Sequence, residues 1–286
     1  MVILIVGAAL GSGWVSYRRA LQRDRHASRA RVAVVAAAPE ENDYSSAAYH
    51  DIDGLIARYQ PHIARAAAQE AKLIVLPEKT AVVTDETRER WLAAVSAWAR
   101  DSRARVVAGL FDEDQKRNQL VIAEPSGEIA VTYDKQHPAR VFGRGEPKPA
   151  RHSLPALDRN NPFPVSGMIC VDGDYSDMVG PVARAGGVLA LPANDWDAIF
   201  ESHLRAAVWL AVRTGVPVVR SAGHGISAVF DAAGRIVAQA DSREGHVVLV
   251  ADVHPSNASQ PAALVTAGNQ RRAHEASRSW PVHRFI

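Results

Sequence analysis

Short apolar runs of strand length alternate with longer segments of helical periodicity, and this alternation constrains the fold of the chain more than any other feature. Residues 32–38 form one apolar run, and residues 51–69 then place apolar side chains at helical spacing. A second apolar run follows at residues 73–76. Strands that alternate with helices in this way predict βα units, with helices packed on the outside of a sheet.

The later part of the chain adds antiparallel pairing to this pattern. Residues 118–124 and 129–133 flank Pro125-Ser126-Gly127, whose proline and glycine supply the backbone angles of a hairpin turn. We predict further elements in this order: a helix with Trp91, Leu92, Val95 and Trp98 on one face, a strand at 106–110, a strand at 165–170, a helix, a strand at 188–191, a helix at 203–213 ended by Gly215, and strands at 216–220, 226–231, 235–240 and 247–253. Residues 136–162 predict a long loop of the kind that often carries function. The expected sheets therefore contain both parallel and antiparallel pairs.

Composition excludes several other classes of protein. The chain has 286 residues, 47% of them hydrophobic, which is typical of a folded protein with one large core rather than a disordered or fibrous one. Its 33 Lys and Arg against 31 Asp and Glu leave a formal net charge of +2, so no overall field favours nucleic acid as a partner. Cys170 is the only cysteine, which excludes an internal disulfide.

An uncharged apolar segment opens the sequence. Residues 1–17 predict a short membrane-spanning or signal-anchor helix, at the lower edge of the roughly 17 to 25 residues that a spanning helix needs. Trp14 and Tyr17 stand where an interfacial aromatic belt would lie, and six arginines follow. A secretory signal peptide and a buried first strand are the alternatives. A signal peptide usually carries basic residues ahead of its apolar run, and this sequence has none there. We expect a protein associated with the inner (cytoplasmic) membrane. The sequence does not decide on which side of the membrane the catalytic domain lies.

No composition break or internal repeat divides the rest of the chain. We therefore expect the anchor segment at 1–17, a basic linker at 18–30, one catalytic domain at 31–255 and a polar tail at 256–286. The arginines of the linker are most simply a membrane-surface or orientation signal.

Three side chains suited to acyl transfer follow predicted strands: Glu78, Lys135 and Cys170. A thiol needs a neighbouring base before it can attack a carbonyl carbon, and a carboxylate such as Glu78 can take its proton. A fixed ammonium such as that of Lys135 can then stabilise the oxyanion. Each residue alone has a simpler interpretation, because a lone cysteine in an apolar strand is commonly a small buried hydrophobe. Glu78 and Lys135, taken singly, are commonly solvated charges at strand ends or are paired with each other.

Short motifs in the chain resemble those of the nitrilase (carbon-nitrogen hydrolase) superfamily, in the order of that family. Leu-Ile-Val-Leu-Pro-Glu-Lys-Thr at 73–80 is similar to its glutamate motif, Tyr-Asp-Lys-Gln-His at 133–137 to its lysine motif, and Gly-Met-Ile-Cys-Val-Asp at 167–172 to its cysteine motif. The later segments at 191–196, 213–220 and 225–231, together with His203, resemble the apolipoprotein N-acyltransferase branch. The resemblance covers residues 32–252.

The resemblance implies an α/β fold, an α-β-β-α sandwich of mixed sheets. It also implies that Glu78 is the general base, Lys135 the oxyanion stabiliser and Cys170 the nucleophile, with no metal and no organic cofactor. Glu146 matches a second glutamate of the acyltransferase branch, although Arg144 stands where that branch more often has the glutamate.

Further residues are expected to support the site or to bind substrate: Asp172, Asn194 and His203. Val171-Asp172 replaces the Tyr-Glu that usually follows the cysteine of the family, and the shorter acid could still hydrogen-bond the lysine. The histidines at 137, 152, 203 and 224 show no helical ligand spacing with a carboxylate partner, which disfavours a metal site.

The leading interpretation is an N-acyltransferase. Cys170 would take a fatty acyl group from a phospholipid as a thioester and pass it to the N-terminal amine of a lipoprotein. An amidase of the same superfamily, which hydrolyses a small amide or nitrile and forms a dimer or other oligomer, is the first alternative. A catalytically silent, membrane-tethered binding domain is the second.

Overall fold

Two mixed β-sheets form the centre of the molecule. The computed structural model describes residues 28–39, 42–138, 155–160 and 162–257. The helices of this part are α1 (Ala47–His50), α2 (Ile52–Ala68), α3 (Arg88–Ser102), α4 (Ser176–Ala185) and α5 (Phe200–Thr214), and a 3-10 helix runs over Cys170–Asp174. The strands are β1 (Ala30–Ala36), β2 (Leu73–Val75), β3 (Ala81–Val83), β4 (Arg105–Asp112), β5 (Arg117–Ala123), β6 (Ile129–Asp134), β7 (Ala156–Asp158), β8 (Val165–Gly167), β9 (Val188–Ala193), β10 (Val218–Ala222), β11 (Ile226–Phe230), β12 (Ile236–Asp241) and β13 (Val247–Val253).

Each sheet combines parallel βα units at its centre with antiparallel strands at its edges. The first sheet has the order β13-β1-β2-β4-β5-β6, with β3 paired to β4, and the second has the order β12-β11-β10-β9-β8-β7. Parallel pairs join β1 to β2, β2 to β4, β8 to β9 and β9 to β10. The remaining neighbours along the two orders are antiparallel, including the predicted hairpin of β5 and β6.

Strand β1 shows how the sequence builds the layers. Its alternate side chains enter two different cores, because successive side chains of a strand point to opposite faces. Val32 and Val34 lie in the core that also holds residues of both sheets, α4 and α5. Ala33 and Val35 lie in the core formed with α2 and α3. The chain is therefore an α-β-β-α sandwich of mixed sheets, as the resemblance implies.

Helix ends follow local chemistry that the sequence carries. The Asp51 carboxylate caps α2 by accepting a hydrogen bond of 2.9 Å from the Gly54 amide. Gly215, predicted to end the helix before it, adopts a φ of 64° directly after α5, a left-handed conformation that glycine tolerates. Asp51 thus fixes where α2 begins, and Gly215 fixes where α5 ends.

The strand predicted at 165–170 is wrong in its second half. Strand β8 ends at Gly167, and Cys170 begins the 3-10 helix with a φ of 49°. Two short strands were not predicted: β3, and β7 within the segment expected to be a long loop.

Several expectations fall on residues outside the described part of the chain: the anchor at 1–17, nearly all of the linker, Glu146, His152 and the tail beyond residue 257. Among the helices of the described ranges, none combines the length and the apolar character needed to cross a membrane.

Candidate active site

Glu78 lies where the two sheets meet at one edge. It follows β2 after two residues, and its backbone amide donates a hydrogen bond of 3.3 Å to the carbonyl of Ala193, the last residue of β9. Gly109 in β4 lets the turn come this close, because a Cβ there would lie 2.3 Å from the Pro77 carbonyl oxygen. Glu78 is thus positioned by two strands: β4 of the first sheet packs against its turn, and β9 of the second sheet accepts the hydrogen bond of its amide.

A buried ion pair joins Glu78 to Lys135. Lys135 Nζ lies 2.7 Å from Glu78 Oε1, and both side chains are almost fully buried. Asn118 Nδ2 donates to the same oxygen at 2.7 Å, and the Asn194 amide donates to Oε2 at 3.2 Å. The two charges are therefore not solvated strand ends but parts of one hydrogen-bonded cluster.

Cys170 stands on a strained turn beside a pocket. Its φ of 49° is rare for a residue with a side chain, and such strain occurs mainly at functional sites. The residue is partly exposed, and the pocket next to it holds about 290 Å³ of empty space, including space open to solvent. The pocket is lined by Cys170, Val171, Gly173, Asp174, Leu191, Ala193, His203, Ala206, Ala207, Leu210 and Arg220. A ligand in this pocket would reach the sulfur.

The charges around the pair act on the thiol in opposite directions. Burial disfavours ionisation of Glu78, but the charges of Lys135 and Lys79 and the hydrogen bonds from Lys135 and Asn118 hold the pKa of Glu78 below its usual range. Burial raises the pKa of the Cys170 thiol, the charge of Glu78 raises it further, and that of Lys135 lowers it. Although Cys170 keeps some exposed surface, the surrounding protein desolvates its sulfur. The resting state therefore has a protonated thiol and an ionised carboxylate.

Asp172 lies at the site, between the segment that carries Lys135 and the turn that carries Cys170. Its buried carboxylate accepts hydrogen bonds from the Tyr133 hydroxyl at 2.8 Å and from the amides of Gln136, His137 and Ile169 at 2.7 to 3.4 Å. Burial raises the pKa of Asp172 to about 6, against the lowering effect of these hydrogen bonds and of the Lys135 charge. Asp172 thus ties the segment that carries Lys135 to the turn that carries Cys170.

Asn194 and His203 both lie at the site. Asn194 reaches Glu78 through its backbone amide, whereas its side-chain Nδ2 donates to Asn42 Oδ1 at 2.6 Å. His203, on α5, places Nδ1 at 3.9 Å from Cys170 Sγ and at 2.9 Å from Asp195 Oδ1.

The sequence analysis assigned no role to three residues of the site: Asn118, Asp195 and Arg220. Asp195 and Arg220 are almost fully buried, and Arg220 Nη2 lies 2.8 and 2.7 Å from the two oxygens of Asp195. Both residues occur in segments that carry the family resemblance, so their place in a motif could have marked them as candidates for the site. Their spacing in the sequence does not indicate that they pair with each other.

Among the residues that the structure describes, one set of side chains could hold a metal ion. Ligand atoms of Cys170, Asp195 and His203 lie within 4.8 Å of one another. A thiolate, an imidazole and a carboxylate are ligands that zinc accepts. Arg220 already occupies both oxygens of Asp195 and adds a positive charge there, which opposes a second cation.

Two stacked mixed sheets between outer helices define the class as a nitrilase-like α/β protein. The carbon-nitrogen hydrolase family model matches residues 31–262. Because this match covers most of its length, the chain belongs to the carbon-nitrogen hydrolase family and is an enzyme of the nitrilase superfamily. The alternative of a catalytically silent binding domain is not retained.

Curated relatives point to one branch of this superfamily. The chain is 26% identical over 201 residues to the apolipoprotein N-acyltransferase of Geobacter metallireducens, which covers 59% of this chain and 38% of that protein. It is 29% identical over 146 residues to the apolipoprotein N-acyltransferase of Bradyrhizobium diazoefficiens, covering 42% of this chain and 27% of that protein. The chain thus spans less than two fifths of the length of either relative.

Solved structures share the fold at low identity. An amidase from Nesterenkonia sp. AN1, with the acetamide moiety of fluoroacetamide covalently added at its active-site cysteine, has a TM-score of 0.66 at 19% identity and covers 87% of this chain and 97% of its own. A carbon-nitrogen hydrolase from Helicobacter pylori G27 has a TM-score of 0.64 at 18% identity, covering 89% and 94%.

Proposed function

We propose that this enzyme transfers acyl groups through a thioester on Cys170, with Glu78 as the general base and Lys135 as the oxyanion stabiliser. The observation that carries the proposal is the buried Glu78–Lys135 pair, whose two charges both act on the pKa of the Cys170 thiol. A thiol, a carboxylate and an ammonium within electrostatic reach of one another supply the nucleophile, base and electrophile that acyl transfer needs.

In the first half-reaction the sulfur attacks an ester carbonyl carbon. The thiol proton passes to Glu78, a C–S bond forms, and the carbonyl oxygen becomes an oxyanion next to the ammonium of Lys135. When the oxyanion collapses, the ester C–O bond breaks and Glu78 returns the proton to the leaving alcohol. The acidic Glu78 and the weakly acidic thiol make the first transfer unfavourable in the resting state, so oxyanion stabilisation drives it.

In the second half-reaction a nucleophile attacks the thioester carbon, the C–S bond breaks and the thiol is restored. We propose that the acyl donor is a phospholipid and that the acceptor is the N-terminal amine of a lipoprotein. The curated relatives support this choice by name. The lipid donor agrees with the membrane association expected from residues 1–17.

An amidase is the second candidate, favoured by the size of the pocket and by the similar structures. The enclosed space beside Cys170 is small, which suits a small amide better than a whole acyl chain. The solved relative from Nesterenkonia sp. AN1 is an amidase. In this case water, rather than an amine, releases the acyl group.

The two candidates are separated by one assay with purified full-length protein. Phosphatidylethanolamine vesicles and a synthetic diacylated lipopeptide are incubated with the enzyme, and the peptide is analysed by mass spectrometry. We expect the peptide to gain one fatty acyl group with wild type and none with Cys170→Ala.

Parallel incubation with butyramide tests for release of ammonia. Ammonia release without acylated peptide would replace the transferase proposal by the amidase. The exposed Glu201→Gln on α5, whose carboxylate pairs with Arg205, is the matched control and should behave as wild type. Acylated peptide from Cys170→Ala at the wild-type rate would overturn the thioester proposal.

A further inference from the structure

A second group of polar side chains lies beside Cys170, and the first half-reaction does not use it. His203 Nδ1 lies 3.9 Å from Cys170 Sγ and 2.9 Å from Asp195 Oδ1. Arg220 Nη2 donates to both oxygens of Asp195, and Arg220 Nη1 donates to the Ile226 carbonyl. Arg220 thus holds the buried carboxylate of Asp195 in place, and one of its oxygens contacts the ring of His203.

These contacts determine which nitrogen of His203 carries the proton. A carboxylate paired with an arginine can only accept hydrogen bonds, so the 2.9 Å contact with Asp195 requires a hydrogen on Nδ1. Nε2 then has a free lone pair in the neutral ring. Within the described ranges no group forms a hydrogen bond with Nε2, and His203 lines the pocket beside Cys170. The free nitrogen is the kind of group that accepts a proton from a bound nucleophile.

Glu78 is poorly suited to that second task. Its Oε1 already accepts hydrogen bonds from Lys135 and Asn118, and its Oε2 accepts one from Asn194. The same contacts hold the pKa of Glu78 low, which makes its carboxylate a weak base. A nucleophile that attacks the thioester from the pocket side would also approach His203 and not the buried glutamate.

We propose that His203, oriented by the Asp195–Arg220 pair, accepts the proton of the nucleophile that releases the acyl group from Cys170. This role rests on the proposed thioester chemistry. The attacking nitrogen or oxygen forms a bond to the thioester carbon, and its proton goes to Nε2 of His203. The C–S bond breaks with its electron pair on sulfur, and the imidazolium proton then neutralises the thiolate.

The surroundings stabilise the imidazolium that this step creates. Asp195 accepts the Nδ1 hydrogen. Burial raises the pKa of a second carboxyl group, Asp174, and the charge of His203 is close enough to oppose that rise. The positive charge of Arg220 is compensated by its two contacts with Asp195. This arrangement of a base and an orienting carboxylate is the one that activates nucleophiles in many hydrolases.

The test separates formation of the thioester from its breakdown. Full-length enzyme is mixed rapidly with p-nitrophenyl butyrate, which reports acylation as a burst of nitrophenolate and deacylation as the following steady rate. The main variant is His203→Asn, whose amide can keep donating to Asp195 while supplying no base, and His203→Gln is the second. We expect a burst near the wild-type rate, a steady rate at least about 100-fold lower, and a butyryl group accumulating on Cys170 by mass spectrometry.

Two further measurements check this interpretation. Hydroxylamine, a strong nucleophile that needs little help from a base, should release the acyl group from both variants nearly as fast as from wild type. The exposed Glu201→Gln, two residues away on α5, should keep both phases unchanged.

If both His203 variants lost the burst and the steady rate equally, the proposed role of His203 would be contradicted. The thioester proposal would not be affected by that result. Hydrolysis of the ester by Cys170→Ala at the wild-type rate would overturn the proposed thioester chemistry, and this role with it.

Discussion

At the scale of single residues, the site combines an unusually acidic carboxyl with an unusually weak thiol acid. Lys135, Lys79 and Asn118 outweigh the burial of Glu78 and lower its pKa, whereas burial and the Glu78 charge raise the pKa of Cys170. The unliganded enzyme therefore keeps its sulfur protonated. Such a site protects a lone thiol from unspecific reactions, because the thiolate is the reactive form.

Because the Glu78 charge raises the pKa of the Cys170 thiol, we predict that Glu78→Gln makes the thiol more reactive but makes acyl transfer slower. Removing the negative charge lowers the pKa of Cys170, so more thiolate is present at pH 7 and iodoacetamide should alkylate the protein several-fold faster. Acyl transfer should fall at least about 100-fold, because the general base is lost. Alkylation followed by mass spectrometry, with the exposed Glu128→Gln as control, checks the first effect. Slower alkylation of Glu78→Gln than of wild type would contradict the electrostatic account.

The sequence predicted some residues of the site better than others. Glu78, Lys135 and Cys170 stand in motifs, and their family resemblance supplied the roles that spacing alone could not. Asp172 was expected to support the site, and its carboxylate accepts hydrogen bonds from backbone amides of the segment that follows Lys135. Asp195 and Arg220 are 25 residues apart and meet only because β9 and β10 are parallel neighbours, which no local pattern reveals.

At the scale of elements, the glutamate depends on how closely β4 approaches the turn after β2. A Cβ at Gly109 would meet the Pro77 carbonyl oxygen at 2.3 Å and the Glu78 Cα at 2.8 Å, both of them backbone atoms that cannot rotate away. The Thr80 amide also donates to the Gly109 carbonyl at 3.1 Å. The position of Glu78 is therefore set by a glycine in a neighbouring strand.

We predict that Gly109→Ala moves this turn and weakens the site. The clash should lower the free energy of unfolding by about 1 to 3 kcal/mol, the usual range for overpacking. It should also reduce acyl transfer strongly, because the Glu78 carboxylate leaves Lys135. Urea denaturation and the lipopeptide assay measure the two effects.

Gly180→Ala is the matched control for this prediction. Gly180 lies inside α4, where the nearest atom to an added Cβ is the flexible end of Arg184 at 3.3 Å. Alanine should stabilise this helix by up to about 1 kcal/mol. Full activity in Gly109→Ala would show that the close approach does not position the glutamate.

Periodicity predicted the longer elements well and the shorter ones poorly. Helices α2, α3 and α5 and the β5–β6 hairpin lie where apolar spacing and the Pro-Ser-Gly turn put them. Strands β3 and β7 have three residues each, too few to show a period. The strand predicted to reach Cys170 stops early because the chain turns there into a left-handed residue, which an apolar run does not signal.

At the scale of the whole molecule, a buried charge network joins the two sheets. Arg105, in β4 of the first sheet, contacts Glu124 at 3.0 Å and Asp158, in β7 of the second sheet, at 2.8 Å. Burial and a hydrogen bond with Asp158 raise the pKa of Glu124 to about 7, although Arg105 lowers it. The three side chains share one positive charge between two carboxyl groups, so one proton is held in the folded state.

This network predicts a pH-dependent stability. The pKa of Glu124 is raised on folding, so its contribution is complete below about pH 4.5 and is lost as the pH rises through about 7. Urea denaturation should therefore show that Glu124→Gln, which resembles the protonated acid, reduces the loss of unfolding free energy between pH 5 and pH 8. The exposed Glu128→Gln should leave that loss unchanged. A loss as large in Glu124→Gln as in wild type would contradict this assignment.

The most direct test of the whole account is the mass of the protein itself during turnover. Enzyme incubated with phosphatidylethanolamine vesicles is quenched with acid, and the intact protein and its peptides are weighed. The account predicts one fatty acyl group on Cys170 in wild type, none on Cys170→Ala, and formation at least about 100-fold slower in Glu78→Gln, where the leaving alcohol lacks its proton donor. An acyl group on another residue, or equal acylation of Cys170→Ala, would contradict it.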